Sequence, residues 1–278
     1  MEKNILKTSN IDYMILKSKK KLSVKENFEI GLKNCKSDYI FFSDQDDVWE
    51  SNKIKNVMEV FYKTNSCLVF SNALVVDDKL QNLGCNLWEK IGYKNNSSIS
   101  TYEKMSLDYI LIILKHNIVT GMCMAITSEL KEKVIPFSNY DIHDAWIANN
   151  AIFFGKVTSI NKNLSLYRQH DNNAIGAKKN IKKTFNNRNK YYDNVKNRIF
   201  FIENLIENIE KNLNIIPDFQ NIYKEYMEYL NYRIEYMNRK KYILNIFFMK
   251  KKYVKFEYRP KLIMLKDIYI YIMNKGRN

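Results

Sequence analysis

The sequence predicts an α/β layer domain followed by a helical region, on three observations. Short apolar runs alternate with amphipathic segments through roughly the first 175 residues. One such run, Tyr39-Ile-Phe-Phe-Ser43, leads straight into a cluster of carboxylates. Beyond about residue 180 the pattern becomes long helical stretches of Tyr, Ile and Lys with no convincing strand.

In chain order, Ile11–Leu16 reads as a strand. Ser23 with Glu26 forms a capping-box signature that opens a helix bearing Phe28, Ile30 and Leu32. Tyr39–Ser43 reads as a buried strand. Lys53–Tyr62 has helical spacing through Ile54, Val57, Met58 and Phe61, and Cys67–Ser71 is the next strand. Tyr109–Leu114 is apolar and fits helix or strand equally. Met122–Ile126 reads as a strand, Ala145–Phe154 as a helix, and Val157–Ile160 and Leu164–Arg168 as two separate strands. The natural division places an α/β domain at 1–177 and a basic, aromatic-rich helical region at 178–278.

Composition narrows the function. Of 278 residues, 46% are apolar and 27% charged, ordinary for a chain with a core. The longest apolar runs, such as Ile110–Leu114, fall far short of the ~20 residues that cross a bilayer. The opening MEKNILKTSN lacks the apolar core of a secretory signal. These features place the protein in the cytoplasm, in solution or lying on a membrane. Cys35, Cys67, Cys85 and Cys123 show no zinc-type spacing and read as small apolar fillers.

The net charge of +15 is unevenly distributed. Residues 239–278 carry twelve basic side chains against two acidic ones, Glu257 and Asp267. Tyr242, Phe247, Phe248, Tyr253, Phe256, Tyr258, Tyr269 and Tyr271 are interleaved with them. Bases with aromatics suit an anionic membrane surface, and would equally suit a phosphate backbone. Nucleic-acid binding leaves the acidic cluster unexplained, however, and is set aside. A second basic stretch, Lys178 to Lys190, has six bases and no acid and reads as a linker or a mobile loop.

The chemistry centres on Asp44, Asp46 and Asp47, just past the buried strand. Carboxylates this close repel one another unless a cation neutralises them. Hard oxygen donors of this kind suit Mg²⁺ or Mn²⁺ carrying a substrate phosphate, and ligands of open α/β sheets collect beyond the carboxyl ends of strands. Asp44-Gln-Asp-Asp-Val48 also fits the nucleophile motif of haloacid-dehalogenase-type phosphatases. The later motifs that class requires are missing or too close, so that reading is set aside.

Asn27-Phe28 opening a helix, Ser43-Asp-Gln-Asp-Asp-Val-Trp49 and Asn52-Lys53 resemble the rhamnosyltransferase-type branch of glycosyltransferase family 2, which has a GT-A fold. Three later segments match in the same order: Asn117-Ile-Val-Thr-Gly-Met-Cys-Met-Ala125, His143-Asp-Ala-Trp146, and Tyr167-Arg-Gln-His-Asp-Asn-Asn173 with Gly176. The resemblance implies inverting, metal-dependent transfer of a sugar from a nucleotide-diphospho-sugar to a hydroxyl of a polysaccharide or lipid-linked acceptor, within envelope polysaccharide synthesis. It implies that Asp46 ligates Mg²⁺ or Mn²⁺, that Asp44 and Asp47 contact the nucleotide sugar, and that Asp144 is the general base. His170 is implied at the metal or phosphate, Arg168 at a phosphate oxygen, and Gly121 where backbone meets donor or acceptor. Asp144 also reads as an early helix residue: the helix dipole lowers its pKa, enclosure by Trp146 raises it, and the sequence does not decide between them. His116 and His143 receive no chemistry.

The match departs from the family in two places. Ile11–Leu16 matches what is usually the third strand, so about fifty residues building the base pocket are missing and the chain reads as N-terminally truncated. The usual Ser-Asp after the next strand is Ser71-Asn72. A sheet without those elements exposes an edge, which predicts poor solubility or a protein partner completing the sheet. The competing expectation is an inactive or partner-requiring remnant that serves as a scaffold.

Overall fold

A computed structural model describes residues 12–169, 188–213, 219–238, 246 and 249–273. The α/β expectation holds, with a helical region towards the C-terminus. Asp12–Leu16 is the first correction: it joins no strand and leaves Tyr13, Met14, Ile15 and Leu16 exposed. The helix α1 (Val24–Asn34) follows, and its capping box forms as anticipated, Ser23 accepting from the Glu26 N–H while Glu26 accepts from the Ser23 N–H. Leu32 turns inward; Ile30 stays exposed.

A seven-stranded mixed sheet forms the centre, in the order β1 (Tyr39–Phe41), β6 (Met124–Thr127), β3 (Ser66–Val76), β7 (Lys156–Arg168), β2 (Val48–Trp49). Two further strands sit beside this path: β4 (Asn82–Asn86) pairs with β3, and β5 (Ile99–Tyr102) pairs with β7. The strands β2, β4 and β5 are too short to show in the sequence pattern, and β4 and β5 are partly polar. Helices α2 (Lys53–Thr64), α3 (Leu87–Ile91), α4 (Leu107–Lys115), α5 (Ser128–Val134) and α6 (His143–Phe154) connect the strands. The ambiguous segment at 109–114 is therefore helical, and Gly121–Cys123 forms a short 3₁₀ turn ahead of β6.

The two strands expected at 157–168 are one. Between Ser71↔Ile160 and Asn72↔Asn163 the parallel β3–β7 register jumps, so Asn161 and Lys162 bulge out of a continuous strand. On its other side β7 pairs with β5 before the bulge and with β2 after it. The bulge thus separates a structural half from the half that carries the acidic loop.

Asn72, where the resemblance implies Asp, is buried and employed structurally. Its Oδ1 accepts from the Trp88 N–H at 3.1 Å in the first turn of α3.

Further along, the described residues form α7 (Arg188–Asn212), α8 (Phe219–Met237), α9 (Lys250–Phe256) and α10 (Pro260–Met273). The expected boundary at 177/178 lies outside the described residues, as does most of the basic stretch 178–190. One hydrophobic cluster extends from Leu68 and Phe70 of the sheet through Trp146 and Phe153 of α6 into Phe201, Leu205, Tyr229 and Phe256. The tail aromatics Tyr253 and Phe256 are core residues rather than surface ones, and Lys252 and Lys255 pair with Glu228 and Glu225. Lys250, Lys251, Arg259 and Lys261 are exposed, with Val254, Leu265 and Ile272 alongside. Arg233 is buried against Glu257 and Asp267, both at 2.8 Å, and reaches the Tyr191 hydroxyl at 2.7 Å. Among the described residues no helix is long and apolar enough to cross a membrane.

Candidate active site

The acidic loop 44–47 joins two distant strands, β1 at one sheet edge and β2 at the other end of the order. Its shape is fixed by Arg168 at the end of β7. The Arg168 N–H donates to Asp47 Oδ1 at 2.9 Å, its Nε to the Asp46 carbonyl at 2.8 Å, and its Nη1 to the Asp78 carbonyl at 3.1 Å. The guanidinium, implied at a phosphate oxygen, braces the loop through its Nε and one Nη1 hydrogen. The carboxylates crowd one another. Burial, reinforced by Asp46, raises the Asp44 pKa. Burial also pushes Asp47 up to about 6, against the Arg168 N–H, with Asp46 and Asp44 adding to the rise.

Lys53, quoted with Asn52 in the resemblance, is given no role there. It is the first residue of α2, where a cation opposes the helix dipole, and that misplacement beside Trp49 was the available signal. Its side chain is buried, lies 4.2 Å from the centre of the Trp49 ring, and donates to the Met122 carbonyl at 2.5 Å and Ser165 Oγ at 2.9 Å. Burial lowers its pKa to about 8, opposed by Cys123 and Asp47. One ammonium thus ties the acidic loop's flank to the 3₁₀ turn and to β7.

That turn holds Asp144. At the start of α6, Asp144 Oδ2 accepts from the Gly121 N–H at 3.0 Å, and Oδ1 accepts from Asn117 Nδ2 at 3.0 Å and the Ala145 N–H at 2.6 Å. The open contest between helix terminus and enclosure is decided by burial. Only 6% of Asp144 is exposed, and burial pushes its pKa up to about 7 despite the Gly121 and Ala145 N–H groups, with Asp141 and Asp44 adding to the rise. Asp44 is therefore within electrostatic reach of Asp144, and the fold brings the acidic loop and the 144 region together.

Gly121 allows the close approach. A Cβ there would lie 2.8 Å from His143 Nε2 and 3.8 Å from Asp144 Cβ. His143 cannot yield easily: its ring stacks on Phe28 at 3.9 Å, beneath Phe42 and Phe137. Burial drops its pKa to about 4, so the ring is neutral where it packs. His170 lies outside the described residues.

The carboxylate donors fit a hard divalent cation, which would also offset the burial and the mutual repulsion that raise Asp44 and Asp47. Among the described residues no group of three or more His, Cys, Asp or Glu side chains is poised as a closed cage, and Asp47 Oδ1 is already engaged. Protein ligation would rest on Asp46 with Asp44, leaving positions for water and phosphate. That is the usual way Mg²⁺ is held.

Residues 3–119 match the family described as Glycosyl transferase family 2. Among curated proteins, the dTDP-rhamnosyl transferase RfbG of Shigella flexneri is 30% identical over 182 residues, which are 59% of this chain and 55% of that protein. An uncharacterized glycosyltransferase of Nostoc is 25% identical over 160 residues, 54% of this chain and 45% of its own. The chain thus spans about half the length of the curated relatives it matches. Among solved structures, S. aureus TarS 1–349 in complex with UDP-GlcNAc superposes with a TM-score of 0.45 and 9% identity, over 89% of this chain and 71% of that one.

Proposed function

We propose that this chain, whose residues 3–119 match glycosyl transferase family 2, is a glycosyltransferase that transfers a sugar from a nucleotide-diphospho-sugar to a hydroxyl of a polysaccharide or lipid-linked acceptor. The observation that carries the reading is Asp144: a buried carboxylate with a pKa raised to about 7, held by Gly121 and Asn117 within electrostatic reach of the acidic loop. A base poised near neutrality suits removal of a proton from an attacking hydroxyl.

In this reading Asp144 accepts the acceptor's proton as the hydroxyl oxygen attacks the anomeric carbon, and a single displacement inverts that carbon. Asp44 and Asp46 would hold Mg²⁺ or Mn²⁺ on the diphosphate, and Asp47 fixes the loop that carries them. When bound, the ion stabilises charge on the departing nucleoside diphosphate. Arg168 and Lys53 keep the loop and the 3₁₀ turn in register, and Gly121 lets the backbone approach the sugar. The exposed bases of α9 and α10, with Val254, Leu265 and Ile272, support docking on an anionic membrane at the cytoplasmic face. Any partner would meet the β1 edge of the sheet.

The deciding experiment is donor hydrolysis with Mn²⁺ across a panel of nucleotide sugars. Turnover that disappears with chelator, with Asp46→Ala and with Asp144→Asn is expected. A folded chain inert towards every donor, or turnover indifferent to both substitutions, refutes the reading and favours the scaffold alternative.

A further inference from the structure

The two oxygens of the Asp144 carboxylate are held unequally. Oδ1 accepts twice, from Asn117 Nδ2 at 3.0 Å and from the Ala145 N–H at 2.6 Å. Among the described residues Oδ2 accepts once, from the Gly121 N–H at 3.0 Å. A carboxylate oxygen offers two lone pairs. Both pairs of Oδ1 are therefore taken, and the one left over belongs to Oδ2.

The Asn117 amide is fixed in its own right. Its Oδ1 accepts from the Val119 N–H at 3.1 Å, closing an Asx turn. A backbone N–H can only donate, so the amide oxygen must face Val119, and Nδ2 is the end turned to Asp144. Ile118 and Val119, buried between Asn117 and Gly121, pin this stretch to the core. Just before it, α4 is tied to the helix that carries Asp144: the buried Tyr109 hydroxyl donates to the Ala148 carbonyl of α6 at 3.2 Å. Asn117 and Gly121 thus reach Asp144 from one pinned segment, each on a different oxygen. Between them they set the plane of the carboxylate.

We infer that Asn117 is a positioning residue for the transfer: by occupying Oδ1 while Gly121 orients the carboxylate, it makes Oδ2 the oxygen that takes the acceptor's proton. This role rests on the reading of Asp144 as the base. In that step the acceptor O–H bond breaks and its proton passes to Oδ2. The electron pair left on oxygen forms the bond to the anomeric carbon, and the bond to the nucleoside diphosphate breaks with its pair leaving on that group. Asn117 acts through Asp144. Of the titratable groups around that carboxylate, Asp141 pairs with Arg198 at 3.3 Å, His143 is neutral, and Asp44 and Cys123 make no hydrogen bond to it among the described residues. Asn117 is accordingly the side chain that decides which oxygen is engaged.

Asn117→Ser and Asn117→Leu in the full chain test the role, with Asp144→Asn as reference. Serine keeps an oxygen for the Val119 N–H but is too short to reach the carboxylate, and leucine loses both contacts. In donor hydrolysis with Mn²⁺, kcat should fall about ten- to a hundredfold in both variants. The KM for the donor should not change, because the acidic loop is untouched. A second readout needs no turnover: carboxyl ¹³C NMR of the aspartate-labelled chain follows Asp144, whose signal is the one lost in Asp144→Asn. Its wild-type midpoint stands at about 7, and losing a donor to the charged form should raise that midpoint by about one pH unit or more in both variants. If the leucine variant does not melt cooperatively, the serine variant decides. A residue that served only the turn would leave Asn117→Ser at the wild-type kcat or midpoint, and either result overturns the inference. With Asp144→Asn inactive, such a result leaves the base reading standing. A chain inert towards every donor, or an active Asp144→Asn, refutes the base and takes the role of Asn117 with it.

Discussion

Asp144→Asn separates the chemistry of that carboxylate from its cost. An Asp whose pKa stands at about 7 instead of the usual 3.8 binds its proton more tightly in the folded chain than in the unfolded one. Between those two values the native state therefore holds the extra proton, and stability falls as pH rises. At ~1.4 kcal/mol per pH unit the loss across that window amounts to at most about 4 kcal/mol, complete above pH 7. Asparagine carries no such charge, but its amide places an NH₂ against one of the N–H donors that now point at Asp144. That mismatch costs about 1–3 kcal/mol at every pH. Urea unfolding from below pH 4 to above pH 7 should therefore show a wild-type decline that is much shallower in the variant, so the variant compares best at alkaline pH. Donor turnover by wild type should rise through about pH 7 as the base loses its proton, and the variant should stay inactive throughout. An unfolding slope identical in the two proteins would refute the argument that burial governs Asp144, and full activity in the variant would remove it from the reaction.

Three further outcomes follow from neighbouring contacts. Lys53→Met should remove the stability gain that wild type shows as pH rises from about 8 to 10.5, where the folded lysine is already neutral and the unfolded one still charged; denaturant midpoints on either side of that window measure it. Gly121→Ala should cost about 1–3 kcal/mol in thermal unfolding and depress turnover, because its Cβ meets a histidine ring wedged against Phe28. Exchanging the exposed Lys250, Lys251 and Lys261 for Glu should abolish salt-sensitive binding to anionic vesicles in a sedimentation assay; binding that persists would remove the membrane role from α9 and α10.

How much could be seen beforehand depended on which interactions are local. The Ser23–Glu26 cap, α2, α6 and the strand entering the acidic loop follow from near-neighbour patterns, and so were legible. The continuity of β7 was not, because two polar residues at a bulge look the same in sequence as the end of a strand. The four quoted motifs contained Asp44, Asp46, Asp47, Gly121 and Asp144, and the fold brings the loop and the base within electrostatic reach of each other. Their supports were hidden. Lys53 looks like any solvated helix lysine until Met122 and Ser165, about seventy and over a hundred residues away, are brought to it. Arg168 has the right chemistry for phosphate, and only long-range register reveals that it also braces the acidic loop through two carbonyls. The tail's aromatics misled for a related reason: Tyr253 and Phe256 share a sequence neighbourhood with lysines but face the opposite side of their helix.

The knot around Arg233 bears on how the C-terminal helices can be manipulated. Its two counter-charges come from Glu257 and Asp267, on segments that a deletion from residue 239 onward would remove together. Such a shortened chain would strand a guanidinium in apolar surroundings, a far larger insult than losing a handful of surface lysines. Any deficit it showed on vesicles would then report collapse of the helical pack rather than a missing lipid contact. For anyone cutting, tagging or fusing this protein, the last forty residues behave as a keystone, and only point changes on their outer face leave the arch standing.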